Sequence, residues 1–247
     1  MKRIPTIILI TISVVIFTGC QTRSISDSGY RKDYSFRGEL SELEVLGVSA
    51  SKDVSESMIQ EALMKVGTVN LSRSEKVVVV QSGSQFPDQG VVSEMEKYYQ
   101  VIPLSGVPNR SNTLNRWDQS NQNKGEETTP LDLAFRLAAA KANAKTLIVF
   151  WGILESSREG YASKTVSWVP IVGSFVPDED QQMRIRLKVA VIDVASGYWE
   201  MMTPEIYDDE RSSMRLTRES QDQKQVELLK EKAYMRMVAD LRTRYEK

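Results

Sequence analysis

Hydrophobic positions fall along the chain in three patterns: unbroken apolar runs, strict alternation, and apolar residues spaced three and four apart. The first run, residues 4–17, is almost wholly Ile, Val, Leu and Thr, and polar sequence follows it within a few residues. "KVVVVQSG" (76–83) and "TLIVFWGILES" (146–156) are shorter runs, and they predict strands buried on both faces. "MRIRLKVAVIDV" (183–194) alternates Met183, Ile185, Leu187, Val189 and Val191 with Arg184, Arg186 and Lys188, the pattern of a half-buried strand. "ASG" then turns the chain into "YWEMM", an antiparallel partner.

Helical spacing accounts for most of the rest. "DVSE" (53–56) has the spacing of a capping box, and Ile59, Ala62, Leu63 and Val66 behind it predict one apolar face for packing. A short strand, "LEVLGV" (43–48), is expected in front of that helix. A short helix over 90–98 leads into the strand "YQVIPLSG". In "TPLDLAFRLAAAKANAK", Thr129 suits an N-cap, Pro130 the first helical position and Asp132 the positive helix end, while Leu133, Leu137, Ala140 and Ala144 share a face. The last element, 221–246, carries Val226, Leu229, Ala233, Met237, Leu241 and Tyr245 on one stripe. The order β-α-β-α-β-β-β-α, with a short strand and helix in front, predicts an α/β single domain. Its mixed sheet of about five strands is flanked by helices and ends in a long amphipathic C-terminal helix.

Segments without period set the boundaries. Residues 1–19 read as a signal peptide, 20–38 as a flexible tether and 39–247 as the globular domain. Within the domain, 107–128 is a polar loop rich in Asn, Gln and Ser, and 156–182 is an apolar insert. The tether, "QTRSISDSGYRKDYSFRG" after the cysteine, would reach about 60 Å if fully extended.

Composition sharpens the N-terminal reading. The 247 residues include no histidine and one cysteine, Cys20. Lys2 and Arg3 precede an apolar core shorter than the roughly 20 residues of a spanning helix, so a removed signal is expected rather than a permanent anchor. Phe17-Thr18-Gly19-Cys20 resembles a bacterial lipobox, with Phe17 where Leu is usual. That resemblance implies cleavage before Cys20 and acylation of its sulfur, the palmitate-type modification of membrane lipoproteins. Three acyl chains would anchor the protein durably, at about 0.8 kcal/mol for each buried methylene. Gln21, in place of an Asp, implies the outer membrane of a Gram-negative envelope, with the domain on the periplasmic face. Loss of residues 1–19 takes Lys plus Arg from 32 to 30 against 33 acidic residues, a balance that gives no footing for nucleic acid.

The segment from "KVVVVQSG" to the final helix also resembles an α/β domain family. It is shared by the curli-secretion lipoprotein, the lipoprotein activators of penicillin-binding proteins and the amino-terminal domain of the Tol translocation protein. "AKTLIVFWGILE" and "RIRLKVAVIDVASG" carry the likeness, with Ser196 where Thr is usual. It covers about two thirds of the chain and implies a binding or assembly role in the envelope without catalysis. Two features depart from it: a tether too short to cross toward the inner membrane, and one insert, 156–182, comparable to the long strand-joining inserts of the ring-forming member, with a less obvious second.

Candidate chemistry is sparse. Without histidine, histidine-dependent hydrolysis is excluded. Ser49 and Lys52 have Ser-x-x-Lys spacing but lack a Lys-Thr-Gly strand, so an exposed loop before a helix is the expectation. "QSGSQ" lacks the glycines and Lys-Ser/Thr of a phosphate loop, leaving Gly83 as a turn residue. "DDE" (208–210) reads as a solvated acidic loop, and the row Arg184, Arg186, Lys188 as a solvated strand face. No catalytic, cofactor or metal site is expected. The partner-binding candidates are Trp168, Val169, Ile171 and Phe175 of the insert, facing an envelope protein, a bilayer surface or another copy. Folding of the same residues into a satellite core is the alternative. A cell-wall hydrolase using Ser or carboxylate chemistry and a ring-forming secretion subunit are the competing functions.

Overall fold

The structure, a computed structural model, describes residues 21–27, 36–48, 54–64, 67–108, 129–160, 179–213 and 218–246. The elements begin with β1 (Gln21–Ser24), a 3-10 turn (Ile25–Asp27), α1 (Glu42–Val45) and α2 (Glu56–Met64). β2 (Lys76–Gln81), α3 (Gln89–Glu96), β3 (Gln100–Leu104) and α4 (Leu131–Lys141) follow. The chain ends with β4 (Thr146–Gly160), β5 (Glu179–Asp193), β6 (Trp199–Met202), β7 (Tyr207–Ser213) and α5 (Arg218–Tyr245).

All strands join one mixed sheet in two tiers. The lower tier runs β3-β2-β4-β5-β6, with β2 parallel to both β3 and β4 and the remaining pairs antiparallel. β4 and β5 are 15 residues each, about 50 Å, so they outrun their lower neighbours. In the upper tier β1 takes the edge of β4 beyond β2, and β7 takes the edge of β5 beyond β6, both antiparallel.

Two apolar layers hold the helices to this sheet. Val77, Val79, Ile148, Phe150 and Leu154 join the buried row Met183, Ile185, Leu187, Val189 and Val191 against α3 and α5. All six predicted core residues of α5 are buried, and Tyr234 meets Phe150 edge-on at 6.0 Å between ring centroids. Tyr234 Oη and Lys230 Nζ both donate to Asp88 Oδ2, at 2.6 and 2.8 Å, tying α5 to the start of α3. On the opposite face Val78, Val80, Leu147, Val149 and Trp151 pack with Leu40, Val45, Phe135 and Ala139.

The mixed sheet, its flanking helices and the long C-terminal helix are as the sequence predicts. Four local readings are corrected. Residues 43–48 form no strand; Ser41 Oγ accepts from Glu44 N–H and starts α1, and this local capping prevails over near-alternation. In α2 the described part of the expected core face is exposed, with Ile59 at 45 % and Leu63 at 72 %, while Asp53 of the capping box and Val66 lie outside the described residues. The sheet-facing residues of α4 are Phe135 and Ala139, while Leu133, Leu137 and Ala140 lie outward. That helix is apolar on two opposite faces, and periodicity alone does not say which one meets the sheet. Finally, "DDE" belongs to β7, with Asp208 in register with Arg184.

Candidate functional site

The N-terminal segment gives the structure its most distinctive site. Residues 21–27, read from sequence as part of a tether, are built into the sheet instead. Gln21, Thr22, Arg23 and Ser24 pair in turn with Ser156, Glu155, Leu154 and Ile153. A strand needs only backbone donors and acceptors, so this pairing requires no apolar pattern. Ile25 is the one apolar side chain of the segment, and it is 2 % exposed in the α5-side core. It lies over Gly152, where an added Cβ would come 2.5 Å from Ile25 Cδ1 and 2.7 Å from Leu187 Cδ2. Gly152 is therefore the floor on which the turn rests.

From there the segment closes over the carboxyl end of β2. Gln81 and Ser82 are buried there, and their polar atoms are matched by Ser26, Leu40 and Asp88. Gln81 Nε2 donates to Ser26 Oγ at 3.1 Å, and Asp88 N–H donates to Gln81 Oε1 at 2.7 Å. The Ser26 hydroxyl donates to the Ser82 carbonyl at 2.6 Å, and Leu40 N–H donates to Ser82 Oγ at 2.8 Å. Trp151 Nε1–H donates to the Leu40 carbonyl at 2.9 Å, fastening the second strand of coverage. In open α/β sheets the carboxyl ends of parallel strands are where ligands usually enter. Here that place is filled by residues 25–26 and 38–40.

The amides after β2 are engaged too. Ser82 N–H donates to Phe150 O, Gly83 N–H to Gly106 O and Ser84 N–H to Gln81 O, at 2.9, 2.9 and 3.1 Å. Gly83 has φ +78°, the turn conformation its sequence context suggests. With those donors committed, "QSGSQ" offers no anion cradle.

The charged row on β5 is paired with Glu155 of β4 and Glu42 of α1. Arg184 and Arg186 both pair with Glu155, the latter at 3.3 Å, and Lys188 Nζ lies 2.7 Å from Glu42 Oε1. These exposed pairs are those of a solvated strand face. Among the described residues no group of three or more His, Cys, Asp or Glu is placed to hold a metal ion, and no helix is long and apolar enough to cross a membrane. One buried polar atom stands out: Tyr99 Oη, 3 % exposed as a residue, has no hydrogen-bond partner. Burial, followed by the charge of Glu246, pushes its phenol up to about 12. Tyr234 is raised well above the ordinary value by burial and then by Asp88.

Cys20, Trp168, Val169, Ile171 and Phe175 lie outside the described residues, as do Ser49 and Lys52. Their flanks are nonetheless brought together. β1 begins at Gln21, directly after Cys20, and β4 and β5 are the arms from which the insert departs, ending at Gly160 and resuming at Glu179.

A family model described as YafT bacterial lipoprotein matches residues 41–244. The chain belongs to the YafT bacterial lipoprotein family. The matched span covers α1 through almost all of α5, so YafT membership rests on the domain and is independent of the lipobox, which precedes it. As a bacterial lipoprotein it is a membrane-anchored envelope protein. Comparison with curated proteins gives no match. Sequence reasoning missed β1 and the closure of β2; the one signal for them was a solitary Ile25 amid polar residues.

Proposed function

We propose that this YafT-family chain is acylated on Cys20, held in the outer membrane with its domain on the periplasmic face, and acts there as a non-catalytic binding or assembly module. The observation that carries the non-catalytic reading is the closed carboxyl end of β2. Gln81 and Ser82, the buried polar residues at that edge, have their hydrogen bonds satisfied by Ser26, Leu40 and Asp88. Residues committed in this way stabilise the domain, and the polar groups of Gln81 and Ser82 are taken up within the fold rather than offered to a ligand. The order β2-α3-β3-α4-β4-β5-β6-β7-α5, apart from the added β7, supports a relation to the curli-secretion and penicillin-binding-protein activator domains. Gln21 after the cysteine supports the outer membrane, and the insert around Trp168, Val169, Ile171 and Phe175 is the surface offered to an envelope partner.

Anchoring is tested by separating inner and outer membranes from cells making the wild-type chain or Cys20→Ser. The wild type is expected in the outer membrane with palmitate incorporated, and the variant, which cannot be acylated, absent from that membrane. Retention of Cys20→Ser in the outer membrane to the wild-type extent would refute the reading. A photo-crosslinker at position 168 tests the partner surface, and its adduct should be a discrete envelope protein.

A further inference from the structure

We propose that the paired N-terminus fixes how the domain stands on its membrane, setting the outer end of the β4–β5 hairpin against the phospholipid headgroups of the leaflet that holds the anchor. The inference rests on acylation of Cys20, as proposed above, and adds an orientation to it.

Direction comes from register. β1 runs antiparallel to β4, from Gln21 beside Ser156 to Ser24 beside Ile153. Followed backward from Gln21, the chain therefore heads toward the end of the hairpin where Gly160 faces Glu179. One residue reaches about 3.5 Å, so a lipid carried on the next residue lies close to the level of Ser156.

Rigidity comes from the turn that follows. Ile25 is buried on Gly152, and Ser26 bridges Gln81 and Ser82, so residues 21–26 cannot swing as a loose leash. The anchor leaves the domain at a fixed point and in a fixed direction.

Length then brings the hairpin to the membrane. From Ser156 to Gly160, and from Met183 back to Glu179, the paired strands continue for about 14 Å beyond the anchor register. The headgroup region on each side of a bilayer is about 5 to 8 Å deep. Upright strands would carry Glu159 and Asp180 through that layer into hydrocarbon, which charged residues resist, so the strands tilt and lay the hairpin end along the headgroups. Residue types at this end agree: Arg158 is in register with Gln181 and Glu159 with Asp180, polar and charged groups suited to a hydrogen-bonding layer rather than to hydrocarbon. At the opposite end of β5, Asp193 and the turn after it lie about 34 Å along the strand from Met183, facing away from the membrane.

The test uses the full acylated chain in phosphatidylethanolamine/phosphatidylglycerol vesicles. Because acylation blocks the Cys20 sulfur, Asp180→Cys and Ser196→Cys each supply one site for a nitroxide label. Power saturation should show the label at 180 several-fold less accessible to a water-soluble nickel chelate than the label at 196. A flexible Gly/Ser insert of about twelve residues between Cys20 and Gln21, averaging about 20 Å, leaves β1 free to pair while releasing the anchor. It should abolish the difference without removing the protein from vesicles. Equal accessibility of 180 and 196 in the vesicle-bound parent overturns the orientation alone, as does an unchanged difference in the linker variant. Failure of the acylated chain to float with vesicles, or equal flotation of Cys20→Ser made without residues 1–19, overturns the anchoring reading and the orientation together.

Discussion

Ile25 and Gly152 form a pair whose coupling can be measured. Ile25 is 2 % exposed, and Ile→Ala at a core site costs about 2 to 5 kcal/mol through lost transfer energy and the cavity left behind. Gly152→Ala introduces a Cβ 2.5 Å from Ile25 Cδ1 and 2.7 Å from Leu187 Cδ2, an overpacking cost of about 1 to 3 kcal/mol. Replacing a strand glycine also returns about 0.5 to 1 kcal/mol of backbone entropy, which partly offsets the clash. Removing the Ile25 side chain relieves the nearer contact and leaves the one with Leu187. The double variant should therefore be more stable than the two single losses predict, by about 1 kcal/mol. Urea unfolding of the Cys20→Ser chain, followed by tryptophan fluorescence, gives all four corners of the cycle. Additivity within about 0.5 kcal/mol, or an Ile25→Ala cost below that figure, would show that the segment after Cys20 does not rest on β4.

Three further outcomes follow from burial and hydrogen bonding. Tyr99→Phe removes a buried hydroxyl that has no partner, so it should leave stability unchanged or raise it by about 1 kcal/mol. The native phenol is held near 12, above its ordinary value of about 10. The unfolded state thus ionises first, and the parent should lose stability relative to Tyr99→Phe as pH rises from 10 toward 12, read by denaturant titrations across that range. Leu63→Ser with Met64→Ser on α2, residues 72 % and 79 % exposed, should move the unfolding free energy by no more than about 0.5 kcal/mol for each substitution. Trp151→Phe leaves the Leu40 carbonyl without its donor and should cost about 1 to 3 kcal/mol by the same titration.

How much of this was legible depends on where each element keeps its information. β2, β5 and α5 announce themselves because their own side chains carry the burial pattern: the valines at 77–80, the alternation from Met183 to Val191, the stripe from Val226 to Tyr245. α4 was legible as a helix but not in its facing, since Leu133 and Leu137 are as apolar as Phe135 and Ala139. The sheet selects between such faces by shape, which a single chain's periodicity does not encode. β7 and β1 were missed because strand pairing is a property of backbone groups, and polar sequences such as "YDDERSS" and "QTRS" can supply it when β4 and β5 extend far enough to receive them. The lipobox-like stretch is linear, read from consecutive residues, and lies ahead of the span that the family model matches. The closure of β2 joins Ser26 to Ser82, 56 residues apart in the chain, and no linear pattern records it.

The upper edge of β4 gives β1 a second consequence. Without β1, Ile153–Ser156 would present a row of unpaired N–H and C=O groups next to Leu154, a template for strand pairing with another copy of the chain. Lipoproteins confined to a membrane meet one another at high surface density, which makes such an edge an aggregation hazard. By folding residues 21–24 onto it, the chain covers that edge itself. Damage to "QTRSI" would then reveal itself first as clustering of otherwise folded molecules on the membrane.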